Sequence, residues 1–301
     1  MKTIIVDLPD DLTSKTSVLL SFKVYMHKNS QYSLLVFGRS SDLPVLEGIE
    51  GIKTVEVEES LSTTESALSE LNKGSYAGLL SFAKRKDLLA AATKTFEKSL
   101  NPCFGLSYKD KKDGKETFLI EASGYFKKNA ENLRAYLDYG NDYLINVVGK
   151  DEPTIGLLSL EGADDPVLSS FDEEMRPNKK YRGPISPDAM FDGEADLLLS
   201  SGADGAISIL ASKGARKIIK ESDEAASNRS SSAKWGSMFG IGKGQKEKEK
   251  EIYDSRIDMK GYVLFGFGYN IISLNKDSGY GDFFDGIEKL EQVDRKKPFH
   301  K

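Results

Sequence analysis

Residues 181–221 read YRGPISPDAMFDGEADLLLSSGADGAISILASKGARKIIKE, and this stretch decides the fold. An acidic turn at Asp192-Gly193 precedes an apolar run from Ala195 to Leu199. A turn carrying Gly202 and Gly205 then leads into helical spacing through Ile207, Leu210, Ala211, Ile218 and Ile219. A strand that passes through a glycine turn straight into a helix is the repeating step of α/β proteins. It also builds anion sites, because the first backbone N–H groups of the helix are unpaired and the helix dipole is positive there. Two readings fit residues 200–206. One is a phosphate or oxyanion cradle; the other is a plain β–turn–α corner whose glycines relieve backbone strain.

The same alternation extends outward in both directions. Short apolar runs occur at Thr3–Leu8, Tyr32–Phe37, Thr54–Val57, Gly78–Ser81, Thr117–Ala122, Thr154–Leu160 and Ala195–Ser200. They are continuous and not alternating, as strands buried on both faces of a parallel sheet require. Helical patterns lie between them at Thr63–Lys73, Lys86–Glu97, Ala130–Tyr139 and Gly205–Glu221. The expected fold is α/β: a three-layer, mainly parallel open sheet with helices on both faces. The expected organisation is one domain over residues 1–301, with residues 222–251 projecting from it as a hairpin or loop.

Composition removes several function classes. The formal net charge of −5 and pI near 5.4 argue against a nucleic-acid binder, which shows a basic face. The single cysteine, Cys103, cannot form an internal disulfide, so a reducing cytoplasm is the expected compartment. No apolar run approaches a transmembrane span, and the start MKTIIVDLPDD turns acidic too early for a signal peptide. With His27 and His300 as the only histidines, a Ser-His-Asp or Cys-His arrangement has little material. No metal-ligand spacing and no Walker A signature appear, so neither a metal nor a cofactor is expected.

Ligands of open α/β sheets sit at the carboxyl ends of the strands, so the turns after the strands supply the candidates. These are Asp7 after the first run, Ser81, Lys84 and Arg85 after the fourth, and Ser200, Gly202, Asp204 and Gly205 after the last. The turns at Ser81–Lys84, Glu161–Asp165 and Ser200–Gly205 are expected to converge on one edge of the sheet. Asp164, Asp165 and Asp204 would repel a phosphate there unless Lys84 or Arg85 offset them.

Four stretches together resemble the PlsX phosphate acyltransferase family. They are Phe191–Asp196 with its following strand, glycine turn and helix, Lys127–Gly140, Thr154–Leu160, and Gly261–Leu274. The resemblance implies formation of an acyl phosphate from an acyl carrier protein thioester and inorganic phosphate. It further implies a homodimer that serves phospholipid synthesis at the inner face of the membrane. The ligand-side turns depart from the family pattern. After Asp7, Leu8-Pro9-Asp10-Asp11 stands where the family has two small residues and paired glycines, and the stretch Phe82–Asp87 after Ser81 lacks the Gly-Asn-Thr-Gly part of the family's loop. The loop at 161–166 lacks the family's lysine, and Ser200-Ser201 replaces an aspartate. The alternative function is therefore a non-catalytic binding or scaffolding protein at the membrane surface.

Residues 222–251 place Trp235, Met238, Phe239 and Ile241 between Lys234 and Lys243. Apolar side chains flanked by lysines suit dipping into an anionic bilayer surface. A loop whose aromatics pack on the body or on a second subunit fits the same text.

Overall fold

The structure is a computed structural model that describes residues 2–28, 31–97, 99–109, 115–160, 164–215, 218 and 261–296. The expected projecting segment at 222–251, with Trp235, Met238, Phe239 and Ile241, lies outside the described residues, as do residues 161–163.

In chain order the first elements are β1 (Lys2–Asp7), α1 (Lys15–His27), β2 (Tyr32–Gly38), β3 (Ile52–Glu56), α2 (Thr63–Lys73), β4 (Gly78–Ser81) and α3 (Arg85–Thr95). The chain continues through β5 (Cys103–Lys109), β6 (Glu116–Ile120), α4 (Ala130–Tyr143), β7 (Ile155–Leu158), α5 (Pro166–Met175), β8 (Tyr181–Ile185) and β9 (Leu197–Leu199). A helix at 204–215, here α6, precedes β10 (Tyr262–Phe265), β11 (Ile271–Ser273) and the last helix, α7 (Tyr280–Lys296).

Local chemistry sets the helix starts. The Ser62 hydroxyl accepts from the Glu65 amide ahead of α2, and the Asn129 side chain accepts from the Asn132 amide ahead of α4. Asp165 accepts from the amides of Val167 and Leu168, with Pro166 opening α5. Each pairs amides that a helix cannot pair itself.

One eleven-stranded sheet runs in the order β3-β2-β1-β4-β11-β10-β5-β6-β9-β7-β8. The strands β3, β2, β1, β4 and β11 are mutually parallel, and so are β6, β9, β7 and β8. Between these blocks the pairs β11–β10, β10–β5 and β5–β6 are antiparallel. An odd number of reversals turns the second block upside down relative to the first. The carboxyl ends of β1 and β4 therefore lie on one edge of the sheet, and those of β6, β7 and β9 on the opposite edge.

This corrects the expected convergence. Ser81–Lys84 is on the first edge; Asp164, Asp165 and Ser200–Gly205 are on the second. The reversal is made by β5, β10 and β11, and β5 had no apolar run assigned to it. In β5, Gly105 leaves the space into which the rings of Phe118 and Phe265 pack.

Helices cover both faces. Side chains of α1, α4, α5 and α7 (Phe22, Tyr136, Phe171, Leu290) join one core cluster, and those of α2, α3 and α6 (Leu68, Leu88, Ile209) join the other. The crossovers after β1 and β4 thus leave to opposite faces, and so do those after β6 and β9. Each pair opens a crevice between adjacent strand ends, the usual ligand position in such sheets.

Candidate functional site

On the first edge, β1 ends in Asp7 and its neighbour β4 ends in Ser81, directly opposite in register. Both are fully buried. The Asp7 carboxylate accepts from the Thr64 hydroxyl (2.7 Å) and the Phe82 amide (3.1 Å). Burial pushes its pKa up to about 6, while the Thr64 and Ser81 hydroxyls and the Phe82 amide pull the other way. The Ser81 hydroxyl also accepts from the Ala83 amide at 3.2 Å. Asp7 thus anchors the turn after β4, and its oxygens are already in use. Lys84 points outward into a salt bridge with Asp11 (2.6 Å).

Arg85, the first residue of α3, behaves differently. A cavity of about 210 Å³ lies where β4 and β11 end and β10 begins, and Arg85, Lys213, Tyr262 and Ser273 line it. The Arg85 guanidinium carbon sits 4.0 Å from the centroid of the Tyr262 ring, and the Lys213 ammonium sits 5.8 Å from the same centroid. The Nε of Arg85 is buried without a hydrogen-bond partner. Among the described residues neither cation has a carboxylate within salt-bridge distance. Arg85 comes from the first parallel block, whereas Lys213 comes from the last turns of α6, which starts on the far edge and runs back across the sheet. A ring face holds a cation weakly and leaves its N–H donors free. Two such cations on one cavity suit a multiply charged oxyanion, whereas the Ser273 hydroxyl there already donates to the Leu274 carbonyl (3.2 Å).

The second edge holds the glycine turn that dominates the sequence. Here the cation is consumed. Lys128 bridges Asp165 (2.7 Å) and Asp204 (2.9 Å), tying together the turns after β6, β7 and β9. Burial works against its charge, yet the hydrogen bonds to both carboxylates hold its pKa above the usual lysine value. Ser200 is buried and donates its hydroxyl to the Glu121 carbonyl (2.8 Å). Gly205 packs so closely that a Cβ there would lie 2.7 Å from that same carbonyl oxygen and would also collide with the Ser200 hydroxyl. Gly202 adopts a left-handed φ of 62° to make the turn. The side chains of this turn thus serve the corner itself, with Ser200 and Gly205 packed on the Glu121 carbonyl and Asp204 paired with Lys128.

Glu121, which no sequence signal marked, is the unusual group on this edge. It follows β6 with a left-handed φ of 60° and is fully buried. One carboxylate oxygen accepts from the Ser123 hydroxyl and the Gly124 amide, both at 2.7 Å, and the other has no partner. Burial pushes its pKa up to about 7, against the pull of those donors. Cys103 is buried nearby, and burial with the Glu121 charge raises its thiol well above the ordinary value, so it is no nucleophile at neutral pH. The aspartate that ends the Phe191–Asp196 motif aligns strands: Asp196 accepts from the amide and hydroxyl of Thr154, both at 2.8 Å, and pairs with Lys150.

Of the eight anion candidates, then, Arg85 alone lines the cavity. Lys213, Tyr262 and Ser273 were missed, because each lies far from Arg85 in sequence and none sits in a glycine turn. Among the described residues no group of three or more His, Cys, Asp or Glu side chains is placed to hold a metal ion, and no helix is long and apolar enough to cross a membrane.

No protein-family model matches the chain. A stretch of 112 residues, 36% of the chain, is 27% identical to a phosphate acyltransferase of Wolinella succinogenes, and it spans 34% of that relative's length. Over the whole fold the chain is similar to a branched-chain phosphotransacylase from Enterococcus faecalis, with a TM-score of 0.64 and 13% identity over 98% of this chain and 100% of the other. It is also similar to a putative 4-hydroxythreonine-4-phosphate dehydrogenase from Salmonella typhimurium, with a TM-score of 0.53 and 12% identity over 97% and 99% of the two chains. The fold is thus phosphotransacylase-like, an α/β architecture that also carries proteins with other names.

Proposed function

We propose that this chain binds a phosphate group between Arg85 and Lys213 and transfers an acyl group to it. The single observation that carries the reading is the presence of two cations, drawn from opposite blocks of the sheet, on one cavity without a carboxylate partner among the described residues. Arg85 is half-buried with its Nε unpartnered, and such a cation is normally paired, so with the exposed Lys213 beside it the cavity offers a place for an external anion. The short stretch of identity to a phosphate acyltransferase and the phosphotransacylase-like fold support the reaction class.

In that reaction a phosphate oxygen attacks the carbonyl carbon of a thioester. The new C–O bond replaces the C–S bond, and the thiolate leaves and takes up a proton, giving acyl phosphate and free thiol. Arg85 and Lys213 would hold the phosphate dianion in place and screen its charge from the incoming carbonyl. That is catalysis by position and electrostatics, with no covalent intermediate on the protein. The resemblance to PlsX adds acyl carrier protein as thioester donor, a homodimer, and a place at the membrane face.

A second reading is a non-catalytic phosphate-binding or scaffolding protein. It is favoured by the state of the other candidates: the Ser81 and Ser200 hydroxyls, Lys84 and Asp204 are all engaged internally. One experiment separates the two. The purified chain is incubated with acyl carrier protein thioester and inorganic phosphate, and acyl phosphate and free thiol are measured. Turnover that an Arg85→Ala, Lys213→Ala variant lacks supports transfer. Phosphate binding without turnover selects the scaffold.

A further inference from the structure

The cavity is lined by both signs of charge. Asp277 and Asp282, from the turn after β11 and the first turn of α7, line it together with Arg85 and Lys213. Opposite charges in one half-closed cavity would pair if they could reach each other. These are held apart. Asp282 is fixed by accepting from the Gly279 amide (2.8 Å), an acid in the first helical turn capping its own helix start. Asp277 accepts from the Thr13 hydroxyl (2.7 Å) and pairs with the adjacent Lys276 (2.9 Å). Beside them, the Ser278 hydroxyl accepts from the Asn275 amide (3.0 Å).

Size and lining narrow the ligand further. The cavity measures about 210 Å³, and Leu274 is the only aliphatic side chain among its described lining residues. Pockets that bury drug-sized molecules hold roughly 300–1,000 Å³ and are mostly apolar. A cavity of this volume and described lining fits a small polar ligand better than a long acyl chain.

We propose that this cavity takes a short phosphate compound whose far end carries hydrogen-bond donors, an ammonium or hydroxyl group. The phosphate lies on Arg85 and Lys213, and the donors face Asp277 and Asp282. The inference rests on reading Arg85 and Lys213 as the phosphate site. It makes the acyl group of the proposed transfer a short amino- or hydroxyacyl group and not a long hydrocarbon chain.

The test is calorimetry on the full chain with inorganic phosphate, ethyl phosphate and aminoethyl phosphate. Aminoethyl phosphate is expected to bind at least about tenfold more tightly than ethyl phosphate, the size of one additional charged contact. An Asp277→Asn, Asp282→Asn variant should bring the two esters to within about twofold while binding inorganic phosphate at least as tightly as the parent does, because two repelling charges are gone. Should that variant not fold, Asp277→Asn alone, at an exposed position, should reduce the preference. Equal affinity for both esters in a parent that still binds inorganic phosphate would overturn the two-signed cavity and leave the phosphate site standing. A preference that survives the aspartate substitutions would overturn the role given to those residues. If the parent binds none of the three, the phosphate reading itself falls.

Discussion

The two edges of the sheet carry the same construction with opposite outcomes. On each edge a strand ends in a buried acid, Asp7 or Glu121, beside a strand whose end carries a buried serine, Ser81 or Ser200. On each edge the crossovers leave to opposite faces and open a crevice. At the second edge Lys128 closes the crevice by joining Asp165 to Asp204. At the first, Lys84 turns away to Asp11, while Arg85 and Lys213 lie by the Tyr262 ring with no carboxylate partner among the described residues. Strand ends and glycine turns supply a place, but the pairing of the nearby cations decides whether an anion can use it. The sequence marked turns on both edges, and among the described residues the two cations on one cavity without a carboxylate partner meet at the first.

That contrast can be broken most directly at the cations. Two charged hydrogen-bonding contacts at roughly 2 kcal/mol each imply that Arg85→Ala, Lys213→Ala weakens inorganic phosphate binding by about 1,000-fold. Calorimetry reads the loss, and thermal melting should show little change because neither side chain holds an ion pair among the described residues. Undiminished affinity would remove the first edge from consideration.

The next effect concerns the acid of the second edge. The folded-state pKa of Glu121 is raised from 4.5 to about 7, so the folded chain keeps a proton that the unfolded chain has lost. Stability from this group is full below pH 4.5 and falls as the pH rises through about 7, by on the order of 3 kcal/mol. Glu121→Gln keeps the accepting oxygen and cannot ionise. Denaturant melts should therefore show the variant more stable than the parent at pH 8 and equal to it at pH 4. Asp7, raised to about 6, loses stability over a lower window and should remain in both proteins.

Gly205→Ala sharpens the comparison by asking what that glycine is for. A methyl group facing the Glu121 carbonyl and the Ser200 hydroxyl should cost about 2 kcal/mol by overpacking. Phosphate affinity of the folded variant should be unchanged, whereas a cradle on this edge would lose it. The smallest effect is expected for Lys128→Met. Its partners are partly exposed, so about 1 kcal/mol of stability should go, again without loss of phosphate binding. A large drop in phosphate affinity there would return the function to the second edge.

Much of the architecture was legible because it rests on local patterns. The continuous apolar runs at Tyr32–Phe37 and Gly78–Ser81 became strands almost residue for residue, and Thr63–Lys73 became α2 with its Ser62 cap. Helices α1, α5 and α7 and strands β5 and β8 went unassigned. Their apolar positions are broken by polar residues or glycines whose packing partners are distant, as Gly105 is with Phe118 and Phe265.

By itself, then, the sequence determined the α/β alternation, the burial of the sheet on both faces and the turns that follow its strands. These depend on periodicity and capping within a few residues of one another. Only the tertiary structure decided which turns share an edge, because three antiparallel pairings in the middle of the sheet invert one block of strands against the other. It alone decided which charges meet, because Lys128 reaches Asp204 across 76 residues and Arg85 and Lys213 share one tyrosine ring. Coulomb attraction acts between neighbours in space, and neighbours in space are set only when the sheet closes.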